Sequence, residues 1–91
     1  MTRSEIRKIV VDTIRQVKED CKDPICDLDS LRFDIGMDSI DRLDLIILLE
    51  NKLWINVSEE EIAKIKNWEV GELIGFIQRK RERVEHEDSR V

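Results

Sequence analysis

Ninety-one residues suit one small domain with a modest core, because so short a chain buries a limited fraction of its surface. Charged residues make up 41% of the chain and aromatics 4%, so the core has to be Ile, Leu and Val on helix faces; three glycines and one proline are too few for a turn-rich sheet protein. A net charge of −5 argues against nucleic acid, whose phosphates need a basic footprint, and the sequence contains neither an apolar signal segment nor a membrane-length apolar stretch.

Residues 1–18 hold five basic and two acidic side chains, whereas residues 19–44 hold nine acidic and three basic. Thr2 and Glu5 have capping-box spacing, and Ile6, Ile9, Val10, Ile14 and Val17 then recur on one face, which predicts a first helix to about Lys18. Its opposite face, with Arg7, Lys8, Asp12 and Arg15, belongs in solvent. From Glu19 to Met37 periodicity is lost and Asp, Ser, Pro and Gly collect, which marks a long connection. A loop of this length needs anchors, and Ile25, Leu28, Leu31, Phe33 and Ile35 are expected to insert between the helices. Cys21 and Cys26 fall in this loop without C-x-x-C spacing and far from His86. They read as free cytosolic thiols, neither metal ligands nor a redox pair.

The run Gly36-Met37-Asp38-Ser39-Ile40-Asp41 turns this acidic segment into the most apolar helix of the chain, predicted over about Ser39 to Leu53. Plotted at 100° per residue it carries two stripes. Leu45, Ile46, Leu49 and Leu53 form the core stripe; Ile40, Leu43 and Ile47, bordered by Asp44 and Glu50, lie roughly opposite. A helix in a small bundle faces one core, so the second stripe is expected to be at least partly exposed, and an exposed apolar stripe with a charged rim points to partner contact. Asp38 can serve as the N-cap unaided, which leaves the Ser39 hydroxyl at a helix start, where unpaired N–H groups favour a phosphate ester. Acidity around that serine favours basic partners.

Leu53 to Val57 is too short and isolated for a strand, and reads as a loop with Ile55 and Val57 inward and Trp54 as either a lid over the bundle, the favoured reading, or an exposed contact anchor. Ser58-Glu59-Glu60-Glu61 is a second capping box, opening a short helix through Ile65. Its adjacent carboxylates have no nucleophile beside them and are not read as catalytic. A last helix starts at Asn67 or Glu69, with Val70, Leu73, Ile74 and Ile77 as its core face. The basic run Arg79 to Arg83, followed by Glu85, Glu87 and Asp88, lacks sustained apolar spacing. The domain is accordingly drawn as 1–78, with 79–91 a charged extension that is partly frayed or disordered or extends the helix in solvent.

Asp-Ser-Ile followed by Asp41, Leu43, Asp44, Leu45 and Leu49-Glu50, and then Ile55-Asn56-Val57 with three glutamates, resembles the acyl carrier protein family over roughly Leu31 to Ile77. The resemblance implies an all-α four-helix bundle, with three longer helices, one short helix and a long loop between helices one and two. It implies a carrier and not an enzyme, with no catalytic residues and no metal. Ser39 would hold 4'-phosphopantetheine, attached by a phosphopantetheinyl transferase, with acyl groups held as thioesters on its terminal thiol. Partner recognition falls by resemblance on Asp38, Ile40, Asp41, Leu43, Asp44, Ile47, Glu50, Glu59 and Glu60, facing acyl-transferring and condensing enzymes of fatty acid, polyketide or related pathways with basic docking surfaces. Ile46, Leu49, Ile62 and Ile65 are the candidates to line an acyl-chain pocket. The expectation is a cytoplasmic monomer that binds neither nucleic acid nor membrane. A peptidyl or aminoacyl carrier domain, or a helical interaction module whose serine stays unmodified, are the alternatives. Arg42, Leu48 and Trp54 depart from the common pattern and point to a specialised carrier.

Overall fold

A computed structural model describes the backbone of residues 1–88 and the side chains of residues 1–85. Four helices follow one another: α1 (Arg3–Val17), α2 (Ser39–Leu53), α3 (Glu59–Ile65) and α4 (Val70–Asp88). Three of them begin at a full capping box. Thr2, Asp38 and Ser58 accept from the N–H three residues on, and Glu5, Asp41 and Glu61 reach back to the N–H of the cap.

The core is the set of inward stripes that the helical spacing requires. Ile6, Val10 and Ile14 of α1 meet Leu45, Ile46, Leu49 and Leu53 of α2 and Leu73, Ile74 and Ile77 of α4, all of them buried. Ile55 and Val57 turn inward from the α2–α3 link. One polar side chain in the interior, Thr13, is satisfied: its hydroxyl donates to the Ile9 carbonyl at 2.6 Å and accepts from Lys52 Nζ at 2.9 Å, tying α1 to α2.

The long loop is strapped to the start of α4. The Asp27 and Asp29 carbonyls accept from the Gly71 and Val70 N–H groups at 2.8 and 2.9 Å, and Leu31 N–H donates to the Trp68 carbonyl at 3.1 Å. Loop carbonyls thus satisfy N–H groups that α4 would otherwise leave unpaired, while Glu69 N–H is held by the Glu72 carboxylate at 3.2 Å. Helix α4 therefore starts at Val70, just after Glu69. On its other side the loop is held by Arg7, which donates to the Asp27 carboxylate at 3.0 Å and the Ile25 carbonyl at 2.9 Å.

Three expectations are corrected. Of the proposed loop anchors, Ile25, Leu31 and Ile35 are buried, but Leu28 and Phe33 are 78% and 75% exposed. The Ser30–Ile35 segment closes a helical turn, with Asp34 N–H and Ile35 N–H both donating to the Ser30 carbonyl. In such a turn Leu31 and Ile35, four apart, share the inner side and Phe33 falls opposite, where Arg32 lies 5.0 Å over its ring. Trp54 is 81% exposed and is no lid. Its left-handed backbone (φ 56°) turns the chain so that Leu53 and Ile55 both enter the core and the indole between them leaves it. Lastly, α4 runs without a break through residue 78 to Asp88. Lys80 pairs with Glu61 at 2.8 Å, Arg81 donates to the Leu53 carbonyl at 2.9 Å, Glu85 accepts from the chain's amino group at 2.8 Å, and Val84 packs on the core. These contacts, absent from any periodicity count, hold the helix on the bundle; residues 89–91 lie outside the described part.

Candidate functional site

Ser39 occupies the first position of α2 and is exposed. Two neighbours fix the approach to it. Gly36 takes φ +83°, a left-handed turn open to glycine, and Met37 behind it is buried with its N–H on the Leu31 carbonyl at 2.9 Å. Asp38 caps the helix, accepting from Asp41 N–H at 2.8 Å, so the serine hydroxyl is not needed as a cap. The Asp41 N–H, with smaller help from Ile40 N–H and the Lys18 charge, holds the Asp38 carboxyl below the usual aspartate range. The carboxylate is therefore ionised throughout the neutral range.

The second stripe of α2 is open. Ile40 is 69% exposed and Leu43 and Ile47 are 44% each, and the long loop does not cover them. Asp38 and Asp44 are exposed beside this stripe, and Asp41 is half-buried, 3.8 Å from Lys18 Nζ. Glu59 and Glu60 stand exposed in the first turn of α3. Glu50 also serves the fold, since it is half-buried and accepts from Val57 N–H at 3.0 Å, fixing the α2–α3 link. Arg42, which interrupts the acidic pattern in sequence, donates to the Met37 carbonyl at 2.9 Å and so braces the turn before the serine.

Among the four candidate pocket residues, Ile46, Leu49 and Ile65 are fully buried and Ile62 half-buried, so all four pack in the core. A surface cleft of about 340 Å3 opens instead between α1 and α2, where Gln16 and Val17 face Asp44, Ile47 and Leu48. Neither Lys18 near the site nor this cleft was readable from periodicity, since both depend on how α1 crosses α2.

Among the described residues no group of His, Cys, Asp and Glu could hold a metal ion, and no described helix is long and apolar enough to cross a membrane. Cys21 is half-buried and Cys26 exposed, both as free thiols. The geometry is that of a presented hydroxyl ringed by carboxylates and apolar side chains.

No protein-family model matches the chain. It is 35% identical over 81 residues to the acyl carrier protein of Chloroherpeton thalassium, covering 89% of this chain and 99% of that protein. The acyl carrier protein of Chlorobium luteolum is 37% identical over 65 residues, 71% of this chain and 83% of its own length. The crystal structure of an acyl carrier protein from Thermotoga maritima superposes with a TM-score of 0.76 at 23% identity, covering 90% of this chain and 93% of that one, and so shares the fold. A match spanning nearly the whole length of the Chloroherpeton protein, on a bundle of the same architecture, places this chain in the acyl carrier protein family, whose members are carriers and not enzymes.

Proposed function

We propose that the protein carries acyl groups as thioesters on a 4'-phosphopantetheine arm attached to Ser39. The observation that supports this most directly is an exposed serine at the first turn of α2 whose capping duty is taken by Asp38. The residues present fit such a group: the hydroxyl is accessible, and the helix start favours an attached phosphate. When bound, the arm supplies a flexible tether and a thiol for thioester formation. Attachment forms a phosphodiester between Ser39 Oγ and the pantetheine phosphate of coenzyme A, with the hydroxyl proton lost and the nucleotide portion leaving as 3',5'-adenosine bisphosphate.

The chain's own residues position and advertise that serine. Gly36, Met37 and Arg42 fix the turn that presents it, while Asp38, Asp41 and Asp44 with Glu59 and Glu60 supply the field that draws basic surfaces of the phosphopantetheinyl transferase and of acyl-transferring and condensing enzymes. Ile40, Leu43 and Ile47 give the apolar contact within that charged rim. Glu50 contributes mainly through the α2–α3 link. Tethering then raises the effective concentration of cargo at each docked active site. Cargo would shelter against Ile46, Leu49, Ile62 and Ile65, with Ile62, the half-buried member, at the entrance.

The test is intact mass before and after incubation with coenzyme A and a broad-specificity phosphopantetheinyl transferase. Wild type is expected to gain one phosphopantetheine and Ser39→Ala none. A folded, initially unmodified wild type that gains nothing would overturn the proposal in favour of an unmodified interaction module. Loading with aminoacyl groups but not acyl groups would assign the peptidyl type.

A further inference from the structure

The end of the molecule remote from Ser39 carries an assembly that the carrier reading does not use. Along α2, fifteen residues at 1.5 Å each put Trp54 about 22 Å from the serine. The Trp54 indole is 81% exposed on a backbone with φ 56°, a conformation that L-residues other than Asn and Asp rarely take. The left-handed backbone ends α2 and lets Leu53 and Ile55 both enter the core, but the indole itself is left in solvent where it adds nothing to folding, and an exposed tryptophan is a reason to look for a function. Beside it, the basic stretch of α4 is ordered on the bundle. Lys80 is fixed by Glu61 at 2.8 Å and Arg81 by the Leu53 carbonyl at 2.9 Å, while Arg79 and Arg83 stand exposed.

Two clefts meet at this point. One, of about 320 Å3, runs between Trp54 and Val84, and the other, of about 190 Å3, lies over Phe76 next to Arg79. Lys80 and Arg83 line both. An aromatic plate, arginines and concavities on either side of a basic ridge are the composition of a protein-binding hot spot.

We propose that this pole is a second docking site, taking an acidic segment of a partner protein: carboxylates against Arg79 and Arg83, and an apolar side chain in the cleft beside Trp54. The charge is opposite to that of the Ser39 face, so the two poles select different surfaces and can be occupied together. Glu61, Glu82 and Glu85 interleave with the cations, which favours discrete carboxylates that thread between them. A phosphate-dense lattice of nucleic acid or lipid headgroups would meet those glutamates as well as the arginines. The site does not depend on modification of Ser39.

The test is a titration of isotope-labelled full-length protein with an octapeptide of alternating glutamate and leucine, following the two indole N–H signals. The lysine–leucine counterpart and vesicles containing anionic phospholipid serve as parallel arms. Expected with the acidic peptide is a saturable shift at Trp54 that exceeds any at Trp68, whose ring packs 5.1 Å from Phe76 under the second cleft. The Trp54 shift should be lost in the Arg79→Glu/Arg83→Glu double variant; in Trp54→Asn, which removes that indole, suits the left-handed backbone and keeps the unfolding midpoint at or above wild type, the peptide-induced shifts of the Arg83 and Val84 backbone amides should be lost instead. Ser39 modification is unchanged in both variants. Absence of a saturable shift up to about 1 mM peptide, the weak end of specific recognition, would overturn the proposal. So would a shift that persists in the double variant, or a response to vesicles without one to peptide, which would assign the patch to a membrane surface.

Discussion

Replacing Gly71 by alanine tests whether the loop strap or helix propensity governs the start of α4. A Cβ at this position would sit 3.1 Å from both the Asp27 Cβ and the Asp27 carbonyl oxygen, inside ordinary contact distance. The neighbour that would have to yield is backbone, and it is held on three sides. Gly71 N–H donates to the Asp27 carbonyl at 2.8 Å, Arg7 to its carboxylate at 3.0 Å and to the Ile25 carbonyl at 2.9 Å. Forcing extra volume into a packed site costs about 1–3 kcal/mol, whereas alanine over glycine returns about 0.5–1 kcal/mol in a helix interior and less in a first turn. The net expectation is a loss of about 1 kcal/mol, or a fall in Tm of about 4–8 °C for a domain of this size. Gly75 is the control with the opposite sign. Its Cβ would meet only the guanidinium ends of Arg79 at 3.4 Å and Arg3 at 3.8 Å, both on flexible side chains that can move, so Gly75→Ala should gain up to about 1 kcal/mol. Urea unfolding followed by helical circular dichroism measures both, and amide exchange at Val70 and Gly71 reports the strap itself. A Gly71→Ala variant as stable as wild type, with protection at both amides intact, would refute the reasoning.

Acid should weaken the α3–α4 contact through Glu61. Lys80, and then the Ser58 N–H, lower its carboxyl from an ordinary 4.5 to about 2, so its contribution is complete above pH 4.5 and is lost as pH falls toward about 2. Glu61→Gln is expected to flatten that limb of stability against pH, and an unchanged limb would remove the pair from the account. Asp38→Asn keeps an oxygen for the Asp41 N–H and removes a charge, so it should preserve helix α2 while slowing modification of Ser39; Asp38→Ala should lose both. Thermal melts and transferase kinetics separate the two effects, and equal transferase rates for Asn and Asp would deny the charge a docking role. Loading a saturated acyl chain should raise stability, and Tm with it, by less per added methylene than the roughly 0.8 kcal/mol of full burial, because Ile46, Leu49 and Ile65 already fill that space. A melt series over chain length checks this, with no dependence on length refuting shelter in the core.

The helices were legible because their signals are local. Capping boxes at Thr2 and Ser58 and the spacing of Ile6, Val10 and Ile14 or Leu73, Ile74 and Ile77 need only neighbours within two turns, and those elements stand where the pattern put them. Both stripes of α2 were likewise readable, down to the exposure of Ile40, Leu43 and Ile47. What escaped was set by contacts distant in sequence. Phe33 and Leu28 are as apolar as Leu31, and only the turns that carry them decide which side they face. Trp54 faces out because of a single left-handed residue, a conformation that nothing in Leu-Trp-Ile announces. That the second half of α4 is held on the bundle was not legible, because Arg81, Lys80 and Glu85 are fixed by Leu53, Glu61 and the chain's amino group, none of which appears in a window of α4. The candidate site divides in the same way: Ser39, Asp38, Asp41 and Asp44 lie on one continuous stretch, while Lys18 reaches Asp41 from the far end of α1.

An exposed apolar stripe invites pairing with a second copy, and the charge pattern of α2 opposes that outcome. Two copies meeting stripe to stripe would bring Asp38, Asp44, Glu59 and Glu60 of each into the same rim as the other's, and like charges brought together this way are repulsive and costly to desolvate. The same carboxylates attract lysines or arginines, so on the proposed carrier reading one set of side chains disfavours self-pairing and favours a basic partner. Lys18 lies 3.8 Å from Asp41 and its charge also reaches Asp38, whereas Asp44 stands exposed beside Leu43. On the proposed carrier reading the docking surface is thus an apolar strip flanked by carboxylates, with the serine at one end of α2 and Trp54 about 22 Å away at the other.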